Sequence, residues 1–268
     1  MNFYKYQGTG NDFVMVDDRL REFPLADIDK IAFLCDRKFG IGADGLILLQ
    51  THADGHFYMQ YFNSDGRESS MCGNGGRCFA KFIFDLGLAR TDIAFEAVDG
   101  WHIAKYSNAE DIGSDIALQM IPVNEVKHLT ENCFELNTGS PHFVRFEEKP
   151  INNLEILTEA HRIRYNEPYL QLGINVNFLN LLGLKSLEIR TYERGVEGET
   201  LSCGTGATAS AIALAIFNGL PEGKHMVNVK VKGGELKVQF HFTPQVPKFE
   251  DVWLIGPAKQ VFVGEIFV

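Results

Sequence analysis

The chain has 268 residues, 45% hydrophobic and 22% charged, the make-up of an ordinary folded protein rather than a disordered or fibrous one. A formal net charge of −10 argues against nucleic-acid binding, which needs basic footprints that neutralise phosphates. No stretch nears the roughly 18 apolar residues of a membrane span, residues 1–7 lack a basic and apolar leader, and five scattered cysteines fit reduced thiols, so a cytoplasmic protein without a membrane partner is expected.

In chain order, 13–16 predicts a strand, 28–37 an amphipathic helix, and 46–50 and 56–62 two further strands. Asn63-Ser64-Asp65-Gly66 reads as a turn. A helix is expected over about 75–86, stopped by Gly87. Strands 93–98 and 101–106 form a tight hairpin about Asp99-Gly100. Farther on, 206–217 is a helix that is small or apolar on every face and therefore buried, ending at Asn218-Gly219. Strands 227–231 and 235–242 repeat the hairpin, the proline-bearing loop 243–247 is expected to be exposed, and 261–268 is a last strand returning to the first domain.

Two small-residue turns stand out, Cys72-Gly73-Asn74-Gly75-Gly76-Arg77-Cys78 and Cys203-Gly204-Thr205-Gly206-Ala207, 131 positions apart. Other landmarks recur at nearly the same offset: Thr9-Gly10-Asn11-Asp12-Phe13-Val14 with Thr138-Gly139-Ser140-Pro141-His142-Phe143-Val144, and Phe39-Gly40-Ile41-Gly42 with Leu172-Gly173-Ile174-Asn175. A period this long is no solenoid repeat but a duplicated domain. The expected division is 1–115, joined by a strand within 258–268, and 116–257, each of α+β class with strands wrapped around a buried helix.

A thiol at a helix N-terminus feels the positive end of the macrodipole and ionises more readily. The N–H groups that follow, on Gly73, Asn74, Gly204 and Thr205, make an anion site, and glycine permits close approach. A lone glycine turn is as readily explained by tight packing at a helix start; its repetition favours chemistry. Two such thiols across one cleft could move a proton between the faces of a carbon. Neither a dinucleotide or phosphate-loop glycine pattern nor zinc-ligand spacing is present, so no cofactor and no metal are expected.

From Tyr6-Gln7-Gly8-Thr9-Gly10-Asn11-Asp12-Phe13 to Gly256-Pro257-Ala258, and most specifically in the two cysteine turns and Glu193-Arg194-Gly195, the sequence resembles the diaminopimelate epimerase family. The resemblance implies two pseudo-symmetric domains, each a mixed, barrel-like sheet around a central helix. It also implies cofactor-independent interconversion of LL- and meso-diaminopimelate in lysine and peptidoglycan-precursor synthesis, by a homodimer. It makes Cys72 and Cys203 the acid/base pair, supported by His142 and Glu193. Asn11, Asn63, Gly73, Asn74, Asn175, Glu193, Arg194, Gly204 and Thr205 would hold the substrate, Arg194 taking the distal carboxylate. The chain departs from the commonest pattern at Gly45, where many members have glutamine, and at Ser140, where many have asparagine. Cys35, Cys78 and Cys133 read as buried apolar residues. A racemase of proline or hydroxyproline and a redox dithiol protein are the alternatives, disfavoured by Arg194 and by the lack of a Cys-x-x-Cys pair respectively.

Overall fold

The computed structural model describes residues 1–106 and 115–267, in two compact units: Met1–Leu118 with Gly256–Val268, and Gln119–Ile255. Val268, the end of the expected last strand, lies outside the described residues.

The first unit contains β1 (Asn2–Gly8), β2 (Asn11–Asp17), α1 (Ile28–Cys35), β3 (Gly45–Thr51), β4 (Phe57–Asn63), α2 (Gly73–Asp85), β5 (Asp92–Ala97), β6 (Gly100–Tyr106), β7 (Ile116–Gln119) and a returning strand Lys259–Glu265. The returning strand, β1 and β2 pair antiparallel, as do β3 with β4 and β5, β6 and β7 in turn. The joins β2–β3 and β4–β5 are parallel, and these are the places where a helix intervenes, because a parallel join needs a crossover and an antiparallel one only a turn. Helix α2 is buried from Gly73 to Ala80, with Phe79 against Phe95 and Phe82 against Tyr4 and Tyr6.

The second unit repeats that order of joins. It contains β8 (Val126–Thr130), β9 (Cys133–Asn137), β10 (Pro141–Phe146), α3 (Ile156–Arg164), β11 (Asn175–Gly183), β12 (Ser186–Glu193), β13 (Gly198–Thr200), α4 (Gly204–Phe217), β14 (Gly223–Val231), β15 (Gly234–Thr243) and β16 (Lys248–Gly256). Strands β10 and β11 are parallel across α3, β12 and β14 are parallel across α4, and the remaining neighbours run antiparallel. The chain is thus α+β, a pair of pseudo-symmetric domains with mixed sheets about central helices. Helix α4 carries no charge, and its Ala207, Ala209, Ala211 and Ala213 are fully buried. Alanine's small side chain admits the surrounding strands, while Ile212 and Leu214 each contribute about 1.5–3 kcal/mol by burial.

Several boundaries differ from expectation. Both central helices begin two residues earlier, at Gly73 and Gly204, so each cysteine is itself the N-cap. Glycine's poor helix propensity hides these starts in the sequence. Helix α1 stops at Cys35 rather than Arg37 because Asp36 is extended. The first hairpin turns on Val98 and Asp99, with Ala97 opposite Gly100 at φ 115°, a conformation that glycine tolerates.

Candidate active site

In the first unit, Cys72 caps α2 with extended backbone, and its Sγ accepts from the Gly75 amide at 3.3 Å. A Cβ on Gly75 would lie 3.2 Å from that sulfur, so glycine is what leaves the thiol room against the helix. Asn11, the first residue of β2, brings its Oδ1 to 4.0 Å from Cys72 Sγ and 3.4 Å from Asn74 Nδ2. Its amide is oriented from behind: Asn11 Nδ2 donates to Asp44 Oδ2 at 2.6 Å, and Arg37 ties Asp44 to Asp12 at 2.7 and 2.6 Å. Burial opposes ionisation of Asp12, but hydrogen bonds from Arg37 and Lys5 outweigh it and hold the carboxyl at about 2. Under the turn sits Arg77, wholly buried. It donates to the Gly73 carbonyl at 3.2 Å, Asn74 Oδ1 at 2.9 Å and Thr9 Oγ1 at 3.2 Å.

Asn63 closes β4 opposite Gly45, exposed, and its Oδ1 accepts from the Tyr61 hydroxyl at 3.0 Å rather than joining the Cys72 cluster. Gly45 has no room for a side chain. A Cβ there would meet the Phe62 carbonyl oxygen at 2.5 Å and Tyr61 Cε2 at 2.6 Å, so Tyr61 fills the space that a longer residue at 45 would need.

In the second unit, Cys203 caps α4, 6% exposed, with Sγ 3.4 Å from Thr205 Oγ1. Thr205 Oγ1 is 3.3 Å from Ser140 Oγ, which is 3.0 Å from His142 Nε2. Asn175, at the start of β11, donates to Ser140 Oγ and the Pro141 carbonyl and accepts from the Arg194 amide, so both of its amide protons are already engaged inside the protein. Glu193 ends β12, where burial raises its carboxyl toward the neutral form. Arg194 is exposed and anchored by the Leu172 carbonyl at 3.0 Å. Asn11, Gly73 and Asn74 therefore gather at Cys72, and His142, Asn175, Gly204 and Thr205 gather about Cys203.

Four positions carry the arrangement without having been singled out in the sequence: Asp44, Arg37, Arg77 and Asn177. Asn177 is fully buried; it donates to His142 Nδ1 and the Phe143 carbonyl and accepts from Thr191 Oγ1. The alternation Asn175-Val176-Asn177 places both asparagines on one face of β11, which is the signal that would have found it. A Cβ on Gly206 would lie 2.5 Å from Asn177 Oδ1, so that glycine too serves the network.

Burial, with the Arg194 charge adding, pushes His142 down to about 3, so the imidazole is neutral at working pH. An unfolded histidine takes a proton near pH 6.5, which the folded one refuses. The stabilising contribution is therefore present above about pH 6.5 and lost as pH falls toward 3. Urea unfolding should show wild type losing about 2 kcal/mol more than His142→Asn between pH 6.5 and 5; equal losses would place the titration elsewhere.

Among the described residues no cluster of three or more histidine, cysteine or acidic side chains could hold a metal, and no helix is long and apolar enough to cross a membrane. Among the described residues the five cysteines form no disulfide, and Cys35, Cys78 and Cys133 are buried.

The family model for diaminopimelate epimerase matches residues 3–114 and 134–249, one stretch in each repeat. The chain is 47% identical to a diaminopimelate epimerase of Flavobacterium psychrophilum (98% of each chain covered) and 39% identical to that of Chlorobaculum tepidum (97% of this chain, 98% of the relative). It is 37% identical to that of Aquifex aeolicus (99% and 98%). Solved structures share the fold at low identity: a PhzF-family phenazine biosynthesis protein of Bacillus anthracis (TM-score 0.75, 14% identity, covering 100% of this chain and 99% of that one) and a probable proline racemase of Agrobacterium radiobacter (0.69, 13%, 100% and 93%). With both repeats matched and relatives aligned almost end to end, the chain belongs to the diaminopimelate epimerase family.

Proposed function

We propose that this enzyme interconverts LL- and meso-diaminopimelate without a cofactor, using Cys72 and Cys203 as a thiolate/thiol pair, in the pathway to lysine and peptidoglycan precursors. The observation that carries the reading is that each cysteine is the N-cap of a buried, glycine-started helix, where a sulfur adjoins the first backbone N–H groups of the helix. The substrate's reacting carboxylate is bound by the amides of Gly73, Asn74, Gly204 and Thr205. One sulfur, as thiolate, takes the α-proton: the C–H bond breaks, an S–H bond forms, and the electron pair spreads from carbon into the carboxylate. There the helix N-termini stabilise it. The other sulfur, as thiol, gives its proton to the opposite face, so the two exchange protonation states in each turnover.

Glu193, whose carboxyl burial shifts toward the protonated form, serves the α-amino group with neutral His142 in support, while Arg194 takes the distal carboxylate, and Asn11, Asn63 and Asn175, the last through the Arg194 amide it holds, orient the rest of the substrate. The family relation supports a homodimer working in the cytoplasm. Incubation in D₂O with LL-diaminopimelate, with proline, or with neither tests the reading. α-Deuterium should appear by NMR in diaminopimelate alone. Exchange into proline but not diaminopimelate would identify a racemase of small cyclic amino acids, and no exchange into either would leave a binding protein.

A further inference from the structure

The hydroxyls beside Cys203 form a chain whose direction follows from counting donors. Asn177 Oδ1 accepts from Thr191, so its Nδ2 is the atom facing His142 Nδ1 at 3.0 Å. Nδ1 is then an acceptor, and the single proton of the neutral ring sits on Nε2. That proton goes to Ser140 Oγ at 3.0 Å. Asn175 accepts from the Arg194 amide through Oδ1, so its Nδ2 is also a donor, and it reaches the same serine oxygen at 3.0 Å. With both lone pairs of Ser140 Oγ filled, its own proton turns to Thr205 Oγ1 at 3.3 Å. Thr205, having accepted, presents its proton to Cys203 Sγ at 3.4 Å. Every link thus donates toward the sulfur.

We propose that Ser140 is a positioning residue, which relays the fixed tautomer of His142 through Thr205 so that Cys203 Sγ is held as a hydrogen-bond acceptor, ready to receive a proton. The inference rests on the proposed role of Cys203 and extends it to a residue where the chain departs from the common family pattern. Hydrogen bonds to a charged form favour that form, and a chain of them polarises its end. Of the neighbouring titratable groups, His142 on β10 is neutral, Glu193 and Arg194 lie at the end of β12, and Glu199 on β13 is engaged with Arg190 and Lys232. Helix α4 and strand β11 carry none.

The test is a pH titration of the full-length protein labelled at cysteine ¹³Cβ, with the Cys203 signal assigned by its loss in Cys203→Ser. Thr205→Val should raise the Cys203 midpoint by about one pH unit, and Ser140→Ala should raise it by roughly half as much. Thr205→Ser and Ser140→Thr, which keep the hydroxyl, should leave it in place. Midpoints unmoved in folded Thr205→Val and Ser140→Ala would overturn the proposal, reducing both hydroxyls to packing. Independently of any variant, ¹⁵N shifts of His142 in the wild type must report Nε2 protonated; an Nδ1-protonated ring would break the chain at its head. Deuterium exchange into diaminopimelate by the wild type stands apart from either result, so failure of the relay and failure of the epimerase reading can be told apart.

Discussion

Replacing either Cys72 or Cys203 with alanine is expected to lower kcat/KM for diaminopimelate by at least about 10²–10⁴-fold, the range typical of losing a positioned acid or base. The loss should belong to chemistry and not to folding. Cys72 loses a cap to the Gly75 amide, worth about 1 kcal/mol, and a long contact to Asn11 Oδ1. Cys203 is buried, yet its side chain exceeds alanine's by a single atom. Melting temperatures should therefore stay within several degrees of wild type while turnover collapses. Serine at either position separates capping from proton transfer, since a hydroxyl caps a helix well but ionises far less readily than a thiol. Cys72→Ser and Cys203→Ser should fold and remain inactive. An active alanine variant at either position would rule out the paired role.

Why the sequence revealed the cysteines but not their supports has a physical reason. A glycine-rich turn beside a cysteine is visible because few settings need so many residues without side chains together, even though the helix start itself is not, and its recurrence 131 positions on is visible by counting. The first central helix and the hairpins follow from local periodicity, the second central helix from an uninterrupted run of small and apolar residues, and the α+β class from their mixture. Helix α3, with four charged or histidine residues in nine, and the short strands β8 and β9 have weak periodicity and are held by tertiary pairing, so nothing local announces them. The site's supports are hidden for a related cause. Asp44 reaches Asn11 across 33 residues, Arg77 reaches Thr9 across 68, and Asn177 reaches His142 across 35. Each looks in sequence like an ordinary polar residue, and only the sheet brings it to its partner. Gly45 and Ser140 show the same limit from the other side. The first is a glycine because Tyr61 occupies its space, and the second is a link in a chain, neither of which a motif comparison could supply.

Arg77→Met should cost more activity than stability, and the reason is a near-cancellation. The guanidinium is wholly buried among three neutral acceptors. Removing it forfeits hydrogen bonds from a charged donor, each worth about 1.5–3 kcal/mol. It also removes a buried charge whose desolvation costs several kcal/mol. These oppose one another, and methionine refills much of the volume, so a net destabilisation of about 2 kcal/mol is expected in urea. Positioning has no such offset. Arg77 Nη2 binds Asn74 Oδ1, which aims Asn74 Nδ2 at Asn11 Oδ1, the atom that faces Cys72 Sγ. Without the arginine the Asn74 amide is free to turn over, exchanging a donor for an acceptor where a carboxylate is to bind, and kcat/KM should fall about 10²-fold or more. Arg77→Lys keeps the charge but has no planar fork to hold Gly73, Asn74 and Thr9 together, so it should fall between the two. Full activity in a folded Arg77→Met would mean that Asn74 is oriented by Asn11 and Thr9 alone, and that the buried cation is a structural plug beneath the turn.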